Sequence, residues 1–141
     1  NPRIKPDLLR ILIDLDSFDR ASQLLATLPM NERLEVPYAD LEVELRVRQR
    51  ASRAGDVDAE ALKLAVESAP SDLGKRLDLA AKLTVVGEDR EALEQYLEVM
   101  KRNRSFQEDA GRKGLVELFQ LLGDSNPLVA EYRRRMAALL Y

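Results

Sequence analysis

Cysteine, histidine and tryptophan are all absent from this chain. Without cysteine there is no disulfide, no thiol nucleophile and no zinc site of the Cys/His kind. Without histidine the commonest general base near neutral pH is missing. Aromatic residues make up only 5%. The apolar runs are only a few residues long, so the sequence predicts no membrane-spanning helix. Neither sign of charge dominates, with 22 basic against 25 acidic residues and a net charge of −3. That balance argues against a dedicated nucleic-acid binder, which carries a net basic surface. No signal peptide is visible. No methionine opens the chain, and NPRIKPD reads as the start of a fragment.

What is present favours helix. Alanine, leucine, glutamate and arginine dominate, and all four are strong helix formers. The pattern predicts an all-α protein of about eight helices. LLRILIDL (Leu8 to Leu15) is apolar on most sides and reads as a buried helix. A second helix starts near Ser17 or Asp19 and carries Ala21, Leu24, Leu25 and Leu28 at helical spacing. Pro29 to Pro37 reads as a long connection. The helix from Tyr38 has two apolar stripes, Tyr38/Leu41/Leu45 and Val43/Val47/Ala51, which predict burial on two sides. Ala59 to Ser68 is a short helix. Ser71 or Asp72 caps the next, which Gly87 ends. Ala92 to Met100, Leu115 to Leu122 and the stretch after Asn126-Pro127 complete the set, with a loop over Asn103 to Phe106.

DSFDRASQLLATL and GEDREALEQYLEV answer each other. Each has a turn, a polar pair, an alanine (Ala21, Ala92) and a bulky residue four on (Leu25, Tyr96). The two alanines stand about two periods of ~34 residues apart, as in the second helix of a tetratricopeptide repeat. The reading is a single repeat domain over 1–141, with pairs at about 7–28, 38–69 and 72–102 and a C-terminal helix pair at about 107–141. The middle repeat is degenerate, its small residue being Ala59 or Ala61.

The last forty residues carry a more specific likeness. Ser105-Phe106, Asp109 to Lys113, Leu121 to Gly123 and the terminal YRRRMAALLY resemble the C-terminal end of the YbbN-type thioredoxin-like co-chaperones, or chaperedoxins. The resemblance implies a cytoplasmic bacterial protein that holds unfolded clients and passes them to chaperones. It also implies an N-terminal thioredoxin-like domain, of which this sequence shows no part. The redox function of that domain does not carry over to these residues.

No catalytic, metal or cofactor site is expected. The carboxylates Asp14/Asp16 and Glu108/Asp109 sit where acidic residues cap or solvate helix ends. GRKG at Gly111 to Gly114 lacks the length and the Ser/Thr of a phosphate loop. The arginines of RVRQRASR (Arg46, Arg48, Arg50, Arg53) spread around a helix with no aromatic platform. They are expected to pair with Glu42 and Glu44 rather than bind RNA. Expected protein-binding residues fall into two sets. By repeat register, Arg10, Ile13 and Asp14, with Leu77, Ala81, Thr84 and Val85, line a concave groove suited to extended apolar segments. In the tail, Leu139, Leu140 and Tyr141 are apolar anchors steered by Arg133 and Arg134, with the chaperonin as expected partner. The competing reading is a structural or oligomerisation scaffold that binds no client.

Overall fold

The computed structural model describes residues 4–141, and the side chains from Pro6 onward. Among these residues there are nine helices and no strand. They are α1 (Ile4–Asp14), α2 (Phe18–Ala26), α3 (Met30–Arg33), α4 (Tyr38–Arg53), α5 (Ala59–Ser68), α6 (Leu73–Val85), α7 (Asp89–Arg102), α8 (Ala110–Leu122) and α9 (Pro127–Leu140). The ninth helix is the single turn α3, inside the stretch expected to be a plain connection. The chain divides into two compact units, Asn1–Gln49 and Arg50–Tyr141, with the division falling inside α4.

Capping chemistry explains several of the boundaries. The Asp58 carboxylate accepts from Ala61 N at 2.9 Å to start α5, and that of Asp72 from Lys75 N at 3.1 Å to start α6. Asn126 does the same for α9 through Leu128 N, with Pro127 in the first turn. The start of α8 differs from expectation. Gln107, Glu108 and Asp109 are consecutive left-handed residues, with φ of 47°, 58° and 63°, so the turn runs on and the helix opens only at Ala110.

In the first unit, Leu9, Leu12 and Ile13 of α1 pack with Ala21, Leu25 and Leu28 and with Leu41 and Leu45 of α4. The expectation that α1 is buried all round fails for half of it. Leu8, Ile11 and Leu15 are exposed. One helix face makes the core, and the other apolar residues of LLRILIDL stand in solvent. Both stripes of α4 are represented in the interior, by Leu41 and Leu45 and by Val43 and Ala51.

The core of the second unit is larger and joins α5 to α9. Ala92 is fully buried, as the repeat register requires, and Tyr96 fills the space beside it. In the degenerate repeat, neither alanine is the main packing residue. Ala61 is exposed and Ala59 only half-buried, while Leu62 and Val66 supply the buried face of α5. Two glycines decide how α8 meets α7. A Cβ on Gly111 would come within 2.7 Å of the Met100 backbone nitrogen and 2.9 Å of the Tyr96 carbonyl oxygen. One on Gly114 would lie 2.3 Å from the Tyr96 ring. The helices therefore approach more closely than any residue with a side chain would permit. Burial pushes the Tyr96 hydroxyl up to about 12, against a hydrogen bond with Thr84 that works the other way.

Helix α9 closes this unit against α7 as well as α8. The C-terminal helix pair expected from the sequence is thus joined by α7. Tyr132 is fully buried, its hydroxyl donates to Glu94 of α7 at 2.5 Å, and its ring lies 4.9 Å from the Arg135 guanidinium. Arg135 also pairs with Glu94. Burial works against the Glu94 carboxylate, but the bonds from Arg135 and Tyr132 outweigh it and hold its pKa below the ordinary value.

Two tests follow from this packing. Gly111→Ala gains helix propensity of about 1 kcal/mol, yet the new methyl meets backbone that cannot swing aside. Overpacking should win, with a net loss of about 1–3 kcal/mol in urea unfolding. Gly74→Ala in α6 meets only Asp72 Oδ1 at 3.5 Å, an ordinary contact, and should gain about 0.5–1 kcal/mol. The second test is the acid limb. A carboxyl whose folded pKa is depressed contributes stability above its ordinary value of 4.5 and loses it as pH falls through the folded value. Glu94→Gln should therefore be less stable than the parent at neutral pH. The gap, read from unfolding midpoints, should close as the pH drops below 4.5.

Candidate functional site

The residues expected to line a groove are placed as follows. Ile13 belongs to the first unit and is 0% exposed, locked in its core. Arg10 is consumed by carboxylates. It donates to Asp14 at 3.1 Å and to both oxygens of Glu44, and Arg48 reaches the same Glu44 at 3.3 Å. These partners raise the Arg10 pKa and lower that of Glu44. On α6, Leu77 is 2% and Ala81 1% exposed, so neither offers surface to a ligand. Thr84 is half-buried and its hydroxyl donates to Ala80 O at 2.8 Å. Of the α6 residues Val85 alone is openly exposed, at 42%, and on α1 Asp14 is exposed. Repeat register could not say which residues of each apolar face the core would absorb.

The tail residues separate in the same way. Arg133 pairs with Asp124 at 2.9 Å and lies over the Phe119 ring. Leu139 is half-buried against the core, and its carbonyl accepts from Arg104. Arg134, Leu140 and Tyr141 are exposed. The arginines of the RVRQRASR stretch are engaged as anticipated where Arg46 and Arg48 meet Glu42 and Glu44, at 3.7 and 3.3 Å. Arg50 instead binds Asp78 at 3.0 Å.

A concave site lies elsewhere in the second unit. A cleft of about 460 Å3 opens between α5 and α7, over a face of α6 other than the one carrying Leu77 and Ala81. Val66, Leu79 and Leu83 form its apolar floor. Its charged wall is mostly self-compensated. Lys63 pairs with Glu91 at 2.9 Å, Arg90 with Glu131 at 2.8 Å, and Glu94 with Arg135. Arg76 is the exception. It is 9% exposed, and its guanidinium donates to Pro70 O at 2.9 Å through Nε and to Gln95 Oε1 at 3.1 Å through Nη1. Both acceptors are neutral. Burial, together with the nearby charge of Arg102, lowers the Arg76 pKa, and Glu98 opposes that only weakly. Arg76 is not among the residues that repeat register selects. The available signal was its spacing, since it stands three residues from both Leu73 and Leu79 on an otherwise apolar face.

Among the described residues no group of three acidic, histidine or cysteine side chains could hold a metal ion, and no helix is long and apolar enough to cross a membrane.

The comparisons agree with this architecture. A solved domain of protein VP0806, of unknown function, from Vibrio parahaemolyticus is 27% identical to this chain. The likeness spans 100% of this chain and 81% of that one, with a TM-score of 0.54. No curated protein matches. The family profile described as tetratricopeptide repeat matches residues 51–141, the stretch holding α5 to α9 and the close α7/α8 pairing. With paired helices, a buried alanine at the repeat position and that match, the chain belongs to the tetratricopeptide repeat family.

Proposed function

We propose that this chain is the partner-binding half of a cytoplasmic thioredoxin-like co-chaperone, holding unfolded clients and passing them to a chaperone. Tetratricopeptide repeats are interaction modules that mediate protein–protein contacts and are typically non-enzymatic. The finer reading rests on the likeness of the last forty residues to the chaperedoxins and on one observation in the first unit. Leu8 and Ile11 of α1, with Leu15 just beyond its end, are exposed apolar residues that the core of this unit does not use. Exposed apolar residues of this kind suit extended apolar segments of non-native chains. The thioredoxin-like domain in the full-length protein belongs to the same reading.

Leu8→Glu combined with Ile11→Glu tests it. Both residues are exposed, so the substitutions should leave helicity and the unfolding midpoint nearly unchanged, within about 0.5 kcal/mol each. Suppression of aggregation of a denatured enzyme should fall several-fold. Undiminished suppression would remove the client reading. If the parent shows no suppression at all but the variant abolishes a concentration-dependent dimer in sedimentation, these residues belong to an oligomerisation surface and the chain is a scaffold.

The tail supplies a second test. Leu139 is held by the core, so the docking anchors in this proposal narrow to Leu140 and Tyr141, with Arg134 beside them. Leu140→Ser with Tyr141→Ser should keep the thermal midpoint and lose co-elution with the chaperonin. Retained co-elution would sink the tail as a docking element.

A further inference from the structure

We propose that the cleft over Arg76 is a recognition site for a single carboxylate, an aspartate or glutamate side chain presented by a partner protein. An arginine nine-tenths buried ordinarily has a carboxylate beside it, because an unpaired buried charge is costly. Arg76 has only the Pro70 carbonyl and the Gln95 amide oxygen. Glu98 and Arg102, whose charges act on Arg76, pair with each other at 2.8 Å. Among the described residues every buried side-chain nitrogen and oxygen has a partner. Nη2 of Arg76 makes no hydrogen bond, so it must reach accessible space, and Arg76 lines the cleft. One end of a guanidinium, anchored at Nε and Nη1, is therefore presented to whatever enters.

The surroundings select the ligand. The remaining nitrogen, Nη2, can give one charge-assisted hydrogen bond to a carboxylate oxygen. Glu91 and Glu94 on the wall are already paired, so one free guanidinium end faces one unpaired carboxylate, Glu67, and matches a single negative charge better than a dianion such as phosphate. Val66, Leu79 and Leu83 beneath them suit an apolar residue next to the acid, which points to a protein segment rather than a free small acid. Glu67 is the one carboxylate on the wall that makes no ion pair or hydrogen bond, and it is the intramolecular competitor for Arg76. The inference rests on the reading of the chain as a protein-binding module, but its test requires neither client holding nor a chaperone.

The probe is a short capped peptide with one glutamate between two leucines, titrated into the full chain while the Arg76 Nε–H signal and the Val66 and Leu83 methyl signals are followed by NMR. Saturable shifts of all three are expected. The matched glutamine peptide should bind about tenfold more weakly, the loss of one charge-assisted hydrogen bond. Glu67→Gln should tighten binding, and Arg76→Lys, which keeps the charge but removes the anchored fork, should weaken it about tenfold. If Arg76→Lys does not fold, the titration of the parent still decides. Absence of saturable shifts, equal response to the glutamine peptide, weaker binding by Glu67→Gln or unchanged binding by a folded Arg76→Lys would each overturn the proposal. Tighter binding of inorganic phosphate than of the glutamate peptide would do the same.

Discussion

The seating of Tyr96 on the glycine face of α8 is the contact on which the second unit depends. Two glycines one helical turn apart strip a side of α8 down to backbone, and the tyrosine ring and the α7 backbone occupy that space. Ala92, one turn before Tyr96, does the complementary work by leaving α7 without bulk where the ring of a larger residue would hold its neighbours apart. Dispersion attraction falls off steeply with distance, so this proximity converts a pair of amphipathic helices into a rigid joint. Once α7 and α8 are joined, α9 has a defined place to pack. Tyr132 enters the interior and its hydroxyl finds Glu94.

Charge is handled differently in the two units. In the first, Arg10, Arg48, Asp14 and Glu44 form a local network that holds α1 and α4 in register around an apolar core. Each pair is partly exposed, and such pairs contribute more to register than to net stability. In the second, ion pairs also tie together helices two apart in the chain, as with Arg90 and Glu131 or Lys63 and Glu91. Against that background a buried arginine bonded only to neutral oxygens stands apart, and it lines the cleft between α5 and α7.

The apolar surplus of the chain has a similar logic. Helix α1 has more leucine and isoleucine than one core face can use, and the excess is left exposed. A helix that is apolar all round is normally buried all round. An interaction module has reason to depart from that rule, because the uncovered face is available to a partner.

Much of the fold was legible in the residues themselves. Helical periodicity, proline at Pro127, capping by Asp72 and Asn126, and glycine after α6 and α8 all act within a few positions of one another, so local sequence decides them. The Ala92/Tyr96 pair and the match over residues 51–141 likewise follow from a repeat whose spacing is written in the chain. The turn α3 and the left-handed run Gln107–Asp109 were not legible, since Asp109 is the only residue of that run whose type favours the left-handed region, and α3 is a single turn with no side-chain cap. The binding residues were the least legible of all. Leu77 and Val85 share the same apolar pattern, yet one is absorbed by the core and the other is left in solvent. Arg76 looks like any surface arginine until α5 and α7 close over it. Local sequence determined where the helices begin, end and turn an apolar face. Only the tertiary structure decided which part of each face remained exposed and which charge was left uncompensated, because burial and pairing depend on neighbours distant in the chain.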